Sequence, residues 1–585
     1  MAEVLISPGV LARENDQSFL QAQPVQAGAA IVGPTVKGPV GIPTLVTTYS
    51  DYQNVFGAVV ESGSAEYTYL TSISAYNYFQ QGGDSLLVTR VVSGSFSSAT
   101  STTITGSASV TGNVFTLKTI SEGIGQNSLT AVEGTNNTLS SGSADNVRWE
   151  IVDPDTSQGT FSLLIRRGND RSNQKVVLET WANLSLDPNS NNYVAKVIGD
   201  SKQTVTNDGT DYYVKNEGSY LNRSRYVYVD SVSKNTLNFF DNNGDAKTAF
   251  TGSIPIAQSG SFESATGTVF TDANSPALFY EKITDTNVQG FDSDALIDVT
   301  TTGTYGVALN LLANQDDYQF NLITVPGLIK ENGNASGEIT TMINNAQTRG
   351  DNIAVVDLVN WDANISTVTA GAAGIDSSYA ATYWPWLQTI DPDTSATVWV
   401  PASTMIPGVY AFNDRSGEPW FAPAGLSRGG LSTVLRAERK LTNGNRNTLY
   451  TANVNPIATF PNTGVVVFGQ KTLQKAASAL DRVNVRRLLI ELKSYISQVA
   501  DNLVFEQNTI ATRNNFLSQV NPYLESVQQR QGLYAFKVVM DDSNNTPDVI
   551  DRNELVGQIY IQPTKTAEFI YLDFNVLPTG ATFPA

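Results

Sequence analysis

The chain has 585 residues, of which 41 % are hydrophobic and 16 % charged, with a formal net charge of −19. Its length exceeds what one core serves and implies about three or four domains, and its acidic surface argues against nucleic-acid contact because phosphate backbones are repelled. It has no Cys and no His, which excludes disulfides, zinc–thiolate sites and thiol nucleophiles and removes the commonest general base and metal ligand.

Residues 1–25 read as an arm: VLISPGV is a short β-prone run, with Val4 and Ile6, broken at Pro8-Gly9 and too short to fold alone. The N-terminus lacks a basic, then apolar, leader, so a protein without a signal peptide, made in a cytoplasm, is expected. Residues 26–92 read as a small β-rich unit, dense in Gly-Pro turns. Within it, residues 65–81 carry a helical spacing of Tyr69, Ile73 and Tyr76, and LLVTRVV (86–92) reads as a buried strand. At residue 93 the composition turns small and polar, as at the entry to an inserted domain. From 93 to 300 the pattern is strand and turn, with a hairpin expected across FSLLIRR and KVVLETW.

Residues 301–455 change character. QFNLITV (319–325), EITTMINNAQTRG (338–350), NIAVVDLV (352–359), SSYAATYWPWLQ and ATVWVPAS (396–403) predict strand, helix, strand, short helix, strand. That order implies an α/β layer on a parallel sheet. Five of the seven Trp fall between residues 361 and 420; they either line a binding site or fill a firm core, and packing of this layer, with Pro385 ending or kinking a helix, is the expectation. Residues 456–565 form a C-terminal unit whose clearest element is a helix over 483–503, striped by Val485, Leu488, Leu489, Leu492, Ile496, Val499 and Leu503. A second helix around 512–530 is expected to break at Asn521-Pro522. Residues 566–585 end the chain in a period-two run, with Ile570, Leu572, Phe574 and Val576 on one face. The fold class expected is multidomain α+β.

Candidate chemistry is sparse. GLSRG (425–429) matches the nucleophile-elbow pattern at Ser427, but a Ser-His-acid triad needs an imidazole that the chain lacks. SVSK (231–234) has no companion hydrolase motifs, and DNNGD (241–245) puts Gly252 where a calcium loop needs Glu. Carboxylate pairs such as Asp292/Asp294 and Asp391/Asp393 are expected by chance among 55 acidic residues. No phosphate-binding loop or dinucleotide fingerprint is present. The basic cluster Arg482, Arg486, Arg487 and Lys493 reads either as intrachain salt bridging or as contact with an acidic partner. A strand outside any domain at each end either folds back on its own chain or, as expected here, points to a polymer whose subunits complete each other's sheets.

Several stretches in order resemble the contractile-tail sheath proteins of myovirus-type bacteriophages: MAEVLISPGV, TTYSDYQNVFG, NYFQQGGDSLLVTRVV, ETWANLSLDPNSNNYVAKVI, ITVPG, YAATYWPWL, GEPWFAPAG, NPIATFPNTGVVVFGQKTL and VNVRRLLIELKSYI. The resemblance implies a subtilisin-like α/β domain without protease activity, no cofactor and no metal. It implies arms that weave subunits together, with Val4, Ile6, Ile570, Leu572, Phe574 and Val576 as the linking set and Arg482, Arg486, Arg487 and Lys493 as tube or neighbour contacts. The partners implied are the chain itself in stacked hexameric rings, the tail tube, the baseplate and the tail terminator or neck. The place implied is the virion tail, assembled in the host cytoplasm. Alternative readings are the sheath of a related contractile injection system, a serine hydrolase using Ser427, and a β-rich adhesin built on 93–300.

Overall fold

The computed structural model describes residues 25–62, 65–107, 112–128, 138–209, 211–268, 280–284, 288–289, 303–333, 335–461 and 463–571. Val4, Ile6, Leu572, Phe574 and Val576 therefore lie outside the described residues. Strands β1 (Ala29–Gly33), β2 (Thr44–Val46) and β3 (Leu86–Arg90) come first, with helices α1 (Tyr49–Phe56) and α2 (Leu70–Gln80) between them. A β-rich segment follows: β4 (Ser98–Ser101), β5 (Phe115–Glu122), β6 (Val147–Asp155), β7 (Thr160–Arg167), β8 (Val177–Ser185), the hairpin β9 (Lys202–Asn207) and β10 (Tyr212–Glu217), β11 (Val227–Val232) and β12 (Gln258–Glu263). Helix α3 (Tyr305–Leu311), β13 (Leu322–Ile329), α4 (Ala335–Arg349), β14 (Ile353–Asp357), α5 (Ile365–Ala373) and β15 (Ala380–Trp384) then alternate.

The central sheet also takes β19 (Asn455–Phe460) and β20 (Gly464–Val467), in the order β20-β19-β15-β14-β13-β1-β3-β2. Six strands are parallel, and the edges β2 and β20 are antiparallel. Residues 26–92 were expected to form a unit of their own; their strands β1, β2 and β3 lie instead in the same sheet as 322–467. The reason is burial. All five residues of β1, β3, β14 and β15 are buried, and a parallel sheet must be covered on both faces. Alternate residues go opposite ways: Ala30, Val32, Ala354, Val356 and Trp384 meet α3 and α4, while Ile31, Val355, Ala381 and Tyr383 meet α1, α2 and helix α6 (Ile406–Ser416).

The aromatic run ATYWPW is a strand and turn, not a helix. Its residues are apolar on both sides, so periodicity cannot separate a doubly buried strand from a buried helix. Tyr383 donates or accepts at Tyr410 (2.7 Å), Trp386 Nε1 donates to the Val359 carbonyl (3.1 Å), and the peptide before Pro385 is cis. The helix that precedes β15 is α5, whose STVTAGAA composition carries little helix signal. ATVWVPAS belongs to a separate antiparallel sheet of β16 (Leu387–Ile390), β17 (Thr397–Val400) and β18 (Val434–Ala437).

The inserted segment forms a seven-stranded antiparallel sheet, β8-β7-β6-β12-β4-β5-β11, and includes the expected β7/β8 hairpin. It is fastened to the central sheet. Buried Arg90 donates from Nη1 to the carbonyls of Gly38 (2.7 Å) and Glu122 (3.0 Å), Lys37 pairs with Asp145 (3.4 Å), and Val205, Tyr212 and Val214 pack on the central core. Inside it lies an ion cluster whose Arg148, Arg166 and Asp170 are buried and whose Glu150 is half-buried. Arg166 grips Asp170 through two 2.8 Å bonds and reaches Glu150 at 3.0 Å, while Arg148 approaches Asp170 at 3.5 Å. Removing one partner leaves buried charge uncompensated. Asp170→Ala is expected to destabilise the inserted sheet by about 3–5 kcal/mol, read as a lowered urea midpoint for loss of amide-exchange protection in β6 and β7.

Candidate functional site

The C-terminal unit pairs helices α7 (Val483–Asp501) and α8 (Ile510–Gln529) beneath an antiparallel ribbon of β21 (Leu533–Val539) and β22 (Gln558–Pro563). Helix α8 runs unbroken through Pro522. Proline costs a helix about 3 kcal/mol, but Phe516, Val520, Leu524 and Val527 are buried against α7 on both sides of it, and Pro522 itself faces solvent. The ribbon lays Leu533, Phe536, Val538, Ile559 and Ile561 on this helical core and leaves Tyr534 (63 %) and Tyr560 (57 %) exposed. Among the described residues each of its strands pairs only with the other, so both outer edges are open. Two strands alone are marginal, and open edges accept further strands.

After β22 the chain crosses back to the central domain and is caught at one residue. The Glu568 carboxylate accepts from Arg482 Nε (2.7 Å) and Nη2 (3.0 Å), from the Tyr450 hydroxyl (2.6 Å) and from Gln470 Nε2 (3.0 Å), which also donates to Thr566 Oγ1 (2.6 Å). These partners come from the residue preceding α7, from the helix Asn443–Thr451 and from the turn after β20. Burial alone would raise the Glu568 carboxyl; the bonds from Arg482, Tyr450 and Gln470 outweigh it and hold it below the usual range. Beyond this clamp Phe569, Ile570 and Tyr571 are 69, 76 and 90 % exposed. Glu568 thus fixes the chain on the central domain, and three exposed side chains follow it directly. No motif flags Glu568; the sequence signal was only Arg482 ahead of a strong helix.

The other basic candidates separate. Arg486 donates to Ser378 Oγ (2.5 Å) and lies over the Tyr379 ring at 4.0 Å. Arg487 pairs with Asp414 (2.6 Å) over Tyr410. Both are buried, and Lys493, which is exposed, donates to the Tyr379 hydroxyl at 3.3 Å. All four cations are therefore engaged within the chain, and Arg482, held by Glu568 and Asp481, is the one that meets the segment after β22.

Ser427 sits exposed on the four-residue turn Gly425–Arg428. The buried acid at the end of β14, Asp357, is tied elsewhere: it accepts from Ser403 N (3.1 Å) and Oγ (2.5 Å). Burial pushes its carboxyl up to about 6, with the Ser403 bonds opposing. A carboxyl raised in the folded state contributes stability below its unfolded value and loses it as pH rises through about 6. Asp357→Asn should remove that loss and stabilise the protein by about 2–3 kcal/mol at pH 7.5, measured by denaturant unfolding at pH 5 and 7.5. For the clamp the sign is opposite: Glu568 holds above the usual carboxylate range and releases as pH falls through its lowered value. At pH 7 Glu568→Gln should quicken trypsin cleavage after Lys565 by about tenfold, the loss of one charged hydrogen-bond set.

The profile of the phage tail sheath protein central domain matches residues 283–473, and that of the phage tail sheath C-terminal domain matches residues 475–577. The tail sheath protein of Vibrio phage KVP40 is 38 % identical over 235 residues, 39 % of this chain and 35 % of that one. The tail sheath protein of Enterobacteria phage T4 is 36 % identical over 230 residues, with the same coverage. The chain thus spans about a third of the length of the curated relatives it matches. The crystal structure of the sheath tail protein of Listeria innocua superposes with a TM-score of 0.50 at 10 % identity, covering 92 % of this chain and 96 % of that one, a likeness of fold alone. The matched region contains the clamp, the ribbon and the central strands β13, β14, β15 and β19, in a family of structural proteins and not of enzymes. The chain belongs to the phage tail sheath family.

Proposed function

We propose that this protein is the subunit of a contractile bacteriophage tail sheath. It polymerises around the tail tube in stacked six-membered rings and contracts after a baseplate signal to drive the tube through the host envelope. The observation that carries this reading is the root of the arm at Glu568 beside a ribbon with two open edges. An arm of alternating apolar residues, released at a fixed point, is built to add a strand to a neighbour's ribbon. Ile570, Leu572, Phe574 and Val576 supply the C-terminal strand, and Val4 and Ile6 the N-terminal one.

The central domain, 301–455 with its partner strands, acts as a subtilisin-like α/β body that has no hydrolytic role. Segments 1–25 and 566–585 are tethers, 93–300 an outward-facing insert, and 456–565 the linking domain. Contraction draws its energy from new subunit interfaces, and the tethers keep the mesh joined while those interfaces exchange. The remaining partners are the tube, the baseplate and the tail terminator or neck; the subunit is made in the host cytoplasm and works in the virion tail.

Electron microscopy of the purified full chain, alone and co-expressed with a tube protein, tests this against the chain lacking 566–585. Rings or tubes from the full chain that vanish on truncation are expected. Tubes that persist without the arm overturn the linking role, and a chain that forms no polymer in either setting overturns the sheath reading.

A further inference from the structure

A second surface is unaccounted for by the arms. Sheet β17-β16-β18 turns one face to solvent, and the register aligns Trp399, Gln388 and Arg436 across it. Arg436 Nε donates to Gln388 Oε1 (2.8 Å) and its guanidinium lies 5.2 Å from the Trp399 ring centroid. Trp361 packs against Trp399 at 4.4 Å. Both indoles are half-buried, their inner sides on the central core. Ile390 (49 %) and Leu435 (52 %) are exposed beside them. Arg436 and Lys440 are exposed, and among the described residues neither is in an ion pair. Tryptophan and arginine in one rigid, partly desolvated patch are the residue types that dominate binding energy at protein interfaces.

The same chain carries a surface of the opposite kind. The loop joining α7 to α8 projects Val504 (60 %) and Phe505 (101 %) into solvent, and Ile510 (65 %) at the start of α8 is exposed as well. Phe505 has φ +71°, a left-handed conformation that bulky side chains rarely adopt and that marks a constrained position. Asp501 and Glu506 flank it, both exposed and, among the described residues, outside any ion pair. No Lys or Arg occurs from 494 to 512. The tip is apolar and acidic; the sheet face is aromatic, with Arg436 outside any ion pair among the described residues and Arg439 paired to Asp362 beside Trp361 at 3.3 Å, in a chain whose net charge of −19 makes exposed cations scarce.

We propose that the α7–α8 tip of one copy docks on the Trp361/Trp399/Arg436 face of the next, Phe505 meeting the indoles and Asp501 and Glu506 meeting Arg436 and Lys440. The contact is heterologous, so it propagates into rings or filaments rather than closing a dimer. It rests on the sheath reading for its place in an assembly, and on charge and apolar complementarity for its partners.

The absence of Cys makes the test direct. Full-length Gln507→Cys and full-length Leu435→Cys chains are mixed and treated with a short bismaleimide; Gln507 is exposed beside the tip and leaves Phe505 in place, and Leu221→Cys, also exposed (48 %), is the control site. The expected result is a mixed 507–435 adduct formed about tenfold or more faster than adducts to the control. Arg436→Glu on the Leu435→Cys chain should slow it by a similar factor, and Glu506→Arg on the Gln507→Cys chain should restore it. A mixed adduct no faster than the control, or one indifferent to both charge reversals, overturns the contact. Tubes without the adduct discard this contact and leave the sheath reading standing; the adduct without tubes keeps the contact and counts against the polymer.

Discussion

Everything in this chain hangs on a parallel sheet that must be buried on both faces. Six parallel strands cannot be joined by tight turns, so each crossover carries a helix or a domain over one face or the other. Strands β1 and β3 come from the first hundred residues and β19 from beyond residue 450. The sheet therefore ties distant segments into one body, and the insert between β3 and α3 can only be an excursion from it. The aromatic run at 383–386 works at this junction: Trp384 fills one helical layer, and Tyr383 and Trp386 fill the other. Large side chains that pack both layers from one strand end make the body resist deformation.

Rigidity extends into the insert. Arg90, fully buried at the end of β3, satisfies the Gly38 carbonyl in the loop after β1 and the Glu122 carbonyl of the inserted sheet, and a hydrogen-bond donor committed to two modules at once opposes their separation. The Arg148–Arg166–Asp170 cluster does the same within the inserted sheet. Buried ion clusters contribute modestly to net stability, but their geometry tolerates few alternatives.

The Glu568 clamp ties an exposed segment to this rigid body. One carboxylate collects donors from three separate elements, so the chain is fixed at a defined point although Phe569, Ile570 and Tyr571 beyond it are exposed. The ribbon and the aromatic–basic face are then two different kinds of surface. The first offers backbone groups to a strand; the second offers side-chain complementarity to the α7–α8 tip.

The sequence by itself determined the features that depend on local pattern and composition. The helix stripe from 483, the face of Ile339, Met342, Ile343 and Ala346, the β7/β8 hairpin and the lack of imidazole or thiol chemistry were all legible, because side-chain period and residue inventory are properties of the chain alone. The ordered family motifs were legible for the same reason. Tertiary structure decided what depends on partners far along the chain. ATYWPW became a strand because both helical layers needed its side chains; residues 26–92 joined the central sheet because a parallel strand must find its neighbours; α8 passed through Pro522 because packing on α7 exceeded the cost. The basic cluster divided by contact, with Arg486 and Arg487 spent on Ser378 and Asp414 and only Arg482 reaching the arm. Charge can be counted in a sequence, but which charge is satisfied is set by the groups that folding brings within hydrogen-bond distance.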